Sequence, residues 1–258
     1  MARLEWHRTI GVQLMRRITF CGVLLFTLIA VVSSALAPAQ TPTDTKPPQY
    51  FLVLLNRPAN APQLSKEAGA KLQEAHMANI RKMAAEHKLL VAGPFMDDTT
   101  LRGIFVLQAE SVAQAQAWAD SDPAVKAGRL SAELHGPWLI DPGAIHVPAE
   151  PPGMERYTFV LMKRGEHWNP DAPEFMEVIK RHHAFIQQMT EQGNIALAGP
   201  FPLSDPGELR GIVIFRVAEA QAANLAQEDP VVKARVLKPE LHPWATGKGV
   251  LASGQPLQ

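Results

Sequence analysis

The chain has 258 residues, 47% of them hydrophobic, with 25 basic and 25 acidic residues that cancel to a net charge of zero. That length fits one large domain or two small ones, and the composition is globular. With no cationic excess and no basic run interleaved with aromatics, a nucleic-acid partner is not expected.

The first forty residues differ from the rest. Arg16 and Arg17 precede an uninterrupted apolar run from Ile18 to Val32, followed by SSALAPAQ. A basic stretch, a short apolar core and an A-x-A end predict a secretory signal peptide over residues 1–39. Cleavage after Ala39 leaves Gln40 first, whereas cleavage after Ala37 places a proline at the first mature position. The rival reading is an uncleaved anchor, but a span needs about 20 apolar residues and this run is shorter. The expected product is exported, periplasmic or secreted, with no stable membrane span once the signal is removed. Cys21, the single cysteine, lies inside the apolar run. The mature chain therefore has no disulfide, thiol nucleophile or thiolate metal site.

A linker over 40–49 leads into an internal repeat. YFLVLL from Tyr50 matches YTFVLM from Tyr157, and HMANIRKM from His76 matches HHAFIQQM from His182. AGPF occurs at Ala92 and again at Ala198. LRGIFVL from Leu101 matches LRGIVIF from Leu209, DPAVKA from Asp122 matches DPVVKA from Asp229, and ELHGPW from Glu133 matches ELHPW from Glu240. Order is kept and the offset stays between 106 and 108. The chain is a tandem duplication, with one domain over 50–140 and another over 157–245.

Each unit opens with an alternating apolar strand, Tyr50 to Leu55 and Tyr157 to Met162. A long helix follows, from about Ser65 to Glu86 and from about Ala172 to Gln192, with Gly193 as a stop. Next come a short strand ending in Gly-Pro, a turn, and a strand after Arg102 or Arg210. A second helix spans Val112 to Ala119 and Ala218 to Gln227. The Asp-Pro pairs open a short helical turn, and a last strand ends at ELH. The order is β-α-β-β-α-β, the ferredoxin-like unit, in an α+β fold. Residues 141–156 form a linker rich in Pro and Gly, and 246–258 a C-terminal tail. A ferredoxin-like sheet carries helices on one face, so the other apolar face needs a cover. Two units in one chain supply it as an intramolecular pseudo-dimer, by packing sheet against sheet or by closing a barrel. Further homo-oligomerisation stays open.

A His in the first helix, then AGP, then Asp and Gly, then AQAWADSDPAVKAG from Ala115 to Gly128 and a terminal PW together resemble the YciI-like (YCII-related) family. The second unit keeps ANLAQEDPVVKA but has Arg235 where the first has Gly128. The resemblance covers most of the mature chain and implies that it carries its own dimer partner. It implies a pseudo-dimer of the dimeric α/β-barrel type and a His with an acidic partner in a pocket as an acid–base site, in a superfamily whose members isomerise, eliminate from or oxidise small ring compounds and lactones. Carried onto this chain, the His is His76 and His182. The acidic partner is Asp97 or Asp98 in the first unit and Asp205 in the second, where GPFPLSD departs from the spacing of GPFMDD.

His76 falls at helical spacing with Leu72, Ile80 and Met83, and His182 with Ile179, Ile186 and Met189, so both lie on an apolar helix face. A core histidine with one satisfied hydrogen bond is the plain explanation. Recurrence of a polar residue on the same buried face calls for a partner or a cavity. Asp97 and Asp98 also fit ordinary turn residues, and helix capping accounts for Asp122 and Asp229. The glycines of AGP are expected to let the chain turn out of a strand. Arg102 and Arg210 are candidates for holding a substrate carboxylate, against solvated strand-end arginines. His135 and His242, close to Trp138 and Trp244, fit a packed terminal strand better than a metal or haem site. Adjacent His182 and His183 point about 100° apart on a helix and do not share a metal easily. No metal and no cofactor are expected: there is no phosphate loop, dinucleotide fingerprint or nucleophile elbow.

Two functions are open. One is an exported lyase or isomerase of the YciI type, doing acid–base chemistry on a small acidic or cyclic molecule, with His76 moving the proton and Asp97 or Asp98 orienting it. The other is a non-catalytic ligand-binding or assembly module with core histidines.

Overall fold

The computed structural model describes residues 47–148 and 153–251. The expected signal peptide and most of the linker after it lie outside the described residues. The first unit consists of β1 (Gln49–Asn56), α1 (Lys66–Ala85), β2 (Leu89–Pro94), β3 (Leu101–Ala109), α2 (Val112–Asp120), the short α3 (Pro123–Lys126) and β4 (Ser131–His135). The second consists of β5 (Met154–Arg164), α4 (Phe175–Glu191), β6 (Ile195–Pro200), β7 (Leu209–Phe215), α5 (Glu219–Glu228), α6 (Pro230–Lys233) and β8 (Leu237–Gly247). The two antiparallel sheets have the same order, β2-β3-β1-β4 and β6-β7-β5-β8. This is the ferredoxin-like topology, twice, as the sequence predicts.

Local chemistry explains the boundaries. Ser65 caps α1 by accepting from Ala68 N, and Ser111 caps α2 by accepting from Gln114 N. Gly193 follows the C-cap of α4 at φ +76°, the left-handed stop that glycine allows. Strand period sorts the apolar residues into layers. Phe51, Val53 and Leu55 of β1 face α1 and α2, and Val160 and Met162 of β5 face α4 and α5. The alternate residues Leu52, Leu54, Phe159 and Leu161 meet in a third core between the two sheets. The pseudo-dimer is thus covered from within, and the shared core includes Trp138 and Trp244, both fully buried.

The sheets join along both edges, and the repeated AGPF motif makes the joints. Beyond β4, Leu139 N donates to Pro200 O at 3.0 Å and Trp138 Nε1 donates to Gly199 O at 2.9 Å. Reciprocally, Phe95 bridges Trp244, Met96 N donates to Pro243 O at 2.8 Å, and Thr246 Oγ1 donates to Ala92 O at 2.8 Å. A Cβ on Gly93 would lie 2.0 Å from Ala245 O, and one on Gly199 2.5 Å from Leu139 O. Neither glycine has positive φ. The glycines are therefore not turn residues, as the sequence reading had them; each clears space for the backbone of the other unit. Burying an indole of this kind removes about 200 Å² of largely apolar surface, worth about 5 kcal/mol.

The terminal strand of the second unit does not stop at ELH. It runs on to Gly247 and pairs with β5 back to Met154, because the chain after His242 lies against β2 of the first unit. The linker holds a 3-10 turn at Pro142–Ala144, and Ile145 bridges Leu251.

Candidate active site

His76 and His182 stand on α1 and α4, each on the face turned to its own sheet, each half-buried. The acidic partner is the Asp of the Asp-Pro pair. His76 Nδ1 lies 2.9 Å from both carboxylate oxygens of Asp122, and His182 Nδ1 lies 2.9 and 2.8 Å from those of Asp229. Both aspartates are buried. A carboxylate can only accept here, so Nδ1–H donates, which in the neutral tautomer leaves the lone pair on Nε2. Among the described residues, no hydrogen bond from the protein reaches either Nε2.

The aspartates also cap their short helices, as expected. Asp122 accepts from Ala124 N at 2.9 Å, and Asp229 from Val231 N at 3.1 Å. Asn79 Nδ2 adds a bond to Asp122 at 3.0 Å; the second unit has Phe185 at that place. Burial pushes the Asp122 carboxyl up, but the hydrogen bond and charge of His76, with Asn79 and Ala124 N, bring it below its ordinary value. Reading Asp122 and Asp229 as caps alone missed their second task. The signal was there: His and Asp recur 46 residues apart in one unit and 47 in the other.

The aspartates predicted to orient the histidines do something else. Asp97 reaches across to the second unit, where His242 Nδ1 donates to it at 2.6 Å; His242 Nε2 lies 3.1 Å from Glu240. Asp98 is fully exposed, with Arg102 4.0 Å away. Asp205 accepts from Gly207 N at 2.7 Å and closes its own turn. The β6–β7 loop is two residues longer than the β2–β3 loop, which moves Asp205 out of register with Asp97. Its charge acts on His135, yet burial dominates there and lowers the His135 pKa, against the raising effects of Glu133 and Asp205. His135 packs on Phe201 at 5.7 Å between ring centroids, and His242 on Phe95 at 5.2 Å. Both histidines thus serve the inter-unit joint.

The arginines hold loops. Arg102 Nη1 donates to Thr99 O at 3.1 Å. Arg210 is buried; its Nη1 donates to Asp205 O at 2.7 Å and Gly207 O at 3.2 Å, and its Nη2 donates to Pro202 O. The guanidinium also lies over Trp168, 5.1 Å from the ring centroid, and burial lowers its pKa. Its terminal nitrogens are therefore engaged, unlike those of an arginine presented to a substrate carboxylate.

A cavity of about 590 Å³ opens beside His182, between α4 and the sheet of the second unit. That is within the usual range for small-molecule sites, about 300–1,000 Å³. Its walls include Met162, Trp168, Phe175, Ile179 and Val213. His183 joins the lining, with its ring centroid 5.8 Å from that of His182. Burial, then the proximity of His182, lowers the His183 pKa. In the first unit Phe105 stands at the place of Val213 and stacks on His76, with ring centroids 5.9 Å apart and 24° between planes. Among the described residues no group of three or more His, Cys, Asp or Glu side chains is placed to hold a metal ion, and no helix is long and apolar enough to cross a membrane.

The first unit, with His76, Asp122 and its AGP strand, coincides with a known family model over residues 49–133. Those residues form a YCII-related domain. The second unit repeats the same order of strands and helices at an offset of about 107 residues. No curated protein matches the chain in sequence. Among solved structures, the chain is similar to a candidate chlorite dismutase at 13% identity and a TM-score of 0.52, over 78% of this chain and 94% of that one. It is also similar to a mutant chlorite dismutase from Candidatus Nitrospira defluvii in complex with cyanide, at 11% identity and a TM-score of 0.52, over 76% and 90%. These likenesses show the fold: two ferredoxin-like units closed on each other in one chain.

Proposed function

We propose that the protein is an exported enzyme that moves a proton on a small cyclic molecule bound in the cavity of the second unit, giving isomerisation or elimination. The observation that carries this reading is the His182–Asp229 pair at the wall of that cavity. Asp229 fixes the ring with Nδ1–H as donor and stabilises the imidazolium once it forms. Nε2 is then the base that takes a proton from a carbon next to a carbonyl; the ring returns it to another carbon in an isomerisation, whereas in an elimination the group on the neighbouring carbon departs with its bonding electrons and takes the proton. A positioned base of this kind contributes about 10²–10⁴-fold. In the first unit, stacking of His76 on Phe105 favours the second reading, a histidine that serves the packing. The substrate arginines fall out of the mechanism, since Arg102 and Arg210 are occupied by their loops.

The test is hydrogen–deuterium exchange by NMR on small cyclic ketones and lactones incubated with the protein in D2O. Exchange next to the carbonyl is expected with wild type and with His76→Gln, and is expected to fall at least about 100-fold in His182→Gln. Exchange at the buffer rate for every compound, or at an undiminished rate in His182→Gln, would overturn the reading. Export is tested separately by sequencing the N-terminus after expression in a secretion-competent bacterium: Gln40 is expected first, and an intact Met1 would exclude cleavage.

A further inference from the structure

The chemistry of the cavity walls says what kind of molecule fits. An anionic ligand in an apolar pocket needs a cation or free N–H donors facing it, because an unpaired buried charge is costly. Arg210 is the cation in this lining; its terminal nitrogens are engaged with Pro202, Asp205 and Gly207, its face rests on Trp168, and its Nε, though without a hydrogen-bond partner among the described residues, is buried away from the opening. The remaining charged groups act the other way. Glu191 lines the cavity, and Asp229 lies directly behind His182. His183 is held toward its neutral form by burial and by His182.

The rim is as informative as the walls. Leu139, Met176 and Leu203 all line the cavity and are 53%, 61% and 56% exposed. They come from three separate segments: the chain beyond β4, helix α4 and the β6–β7 loop. Three large apolar side chains kept in water around one opening extend the apolar surface of the cavity outward.

We infer that the cavity of the second unit takes an uncharged, largely apolar ligand whose apolar end lies at the rim formed by Leu139, Met176 and Leu203. The inference rests on the reading of this cavity as the ligand site and names the class of substrate; it excludes the carboxylic acids that the sequence alone left open.

A matched pair of probes tests it: 4-butylbenzamide and 4-butylbenzoate, nearly the same in shape and different in charge. Binding is measured by titration calorimetry at pH 8, where an ordinary imidazole is neutral. Wild type is expected to bind the amide at least about tenfold tighter than the carboxylate. Val213→Phe, which places in the second unit the residue found in the first, is expected to abolish amide binding. Met176→Lys, at an exposed position where folding is not at stake, is expected to weaken the amide and strengthen the carboxylate. Equal or tighter binding of the carboxylate by wild type overturns the inference, as does binding of neither probe, or amide binding that both variants leave unchanged. His182→Gln separates the two proposals: amide binding retained together with lost deuterium exchange supports both. Amide binding with wild-type exchange leaves the ligand class standing and removes the acid–base role.

Discussion

The two units share a topology, a strand order and a His-Asp pair, yet the side chains around the pair differ. In the first unit Phe105 stacks on His76, and Asn79 gives Asp122 an additional hydrogen bond. In the second, valine and phenylalanine occupy those two places, and a cavity lies along His182. The pair is the same in both units; what differs is the side chains that pack beside the imidazole. Two side chains, Phe105 against Val213 and Asn79 against Phe185, therefore distinguish the surroundings of the two pairs. Such differences leave the fold intact because each unit still supplies the other's missing layer.

The largest effect should come from the joints. Gly93→Ala puts a methyl group 2.0 Å from Ala245 O and is expected to cost about 3 kcal/mol in urea unfolding. Gly199→Ala, with 2.5 Å to Leu139 O, is expected to cost about 2 kcal/mol. Equal, negligible costs would mean that the glycines are not where the units close on each other. Phe105→Val should come next, at about 2 kcal/mol. It would also open a space beside His76, and the stoichiometry of 4-butylbenzamide is expected to rise from one to two. A destabilised variant that still binds one equivalent would show that more than this side chain separates the units.

Acid stability sharpens the comparison further. Asp122→Asn is expected to cost about 1–3 kcal/mol at pH 7, and Asp229→Asn less, since Asp229 has no partner equivalent to Asn79. The Asp122 carboxyl is held below its ordinary value in the folded state, so the unfolded chain takes up its proton first. The stabilisation is therefore complete above the unfolded pKa of about 3.9, and is lost as the pH falls through the folded value. Urea midpoints between pH 6 and pH 2 should fall more steeply for wild type than for Asp122→Asn; parallel curves would contradict the assignment. The smallest effects belong to the backbone. His87 and Arg235 sit at φ +55° and +56°, where the opposite units have Gly193 and Gly128. His87→Gly and Arg235→Gly are each expected to stabilise by about 0.5–1 kcal/mol, read from the same unfolding curves.

By itself the sequence determined the duplication, the element order and the need for two units to cover each other's sheets. Those properties are written in local patterns: period 2 against 3.6, Asp-Pro at the start of a short helix, Gly193 at the end of a long one. It also placed both histidines on the apolar helix faces. The tertiary structure decided their partners, because Asp122 and Asp229 stand close to them only once the short α3 and α6 pack beside α1 and α4. An aspartate that caps a helix looks the same in sequence whether or not a histidine lies against its other oxygen. Tertiary contact likewise gave Asp97 to His242 of the opposite unit, gave the arginines to their own loops, and turned AGPF from an apparent turn into a joint between units. The cavity came last, since an empty volume depends on the sizes of side chains that meet from different elements, and Val213 against Phe105 acquires its meaning only when the helix above is in place.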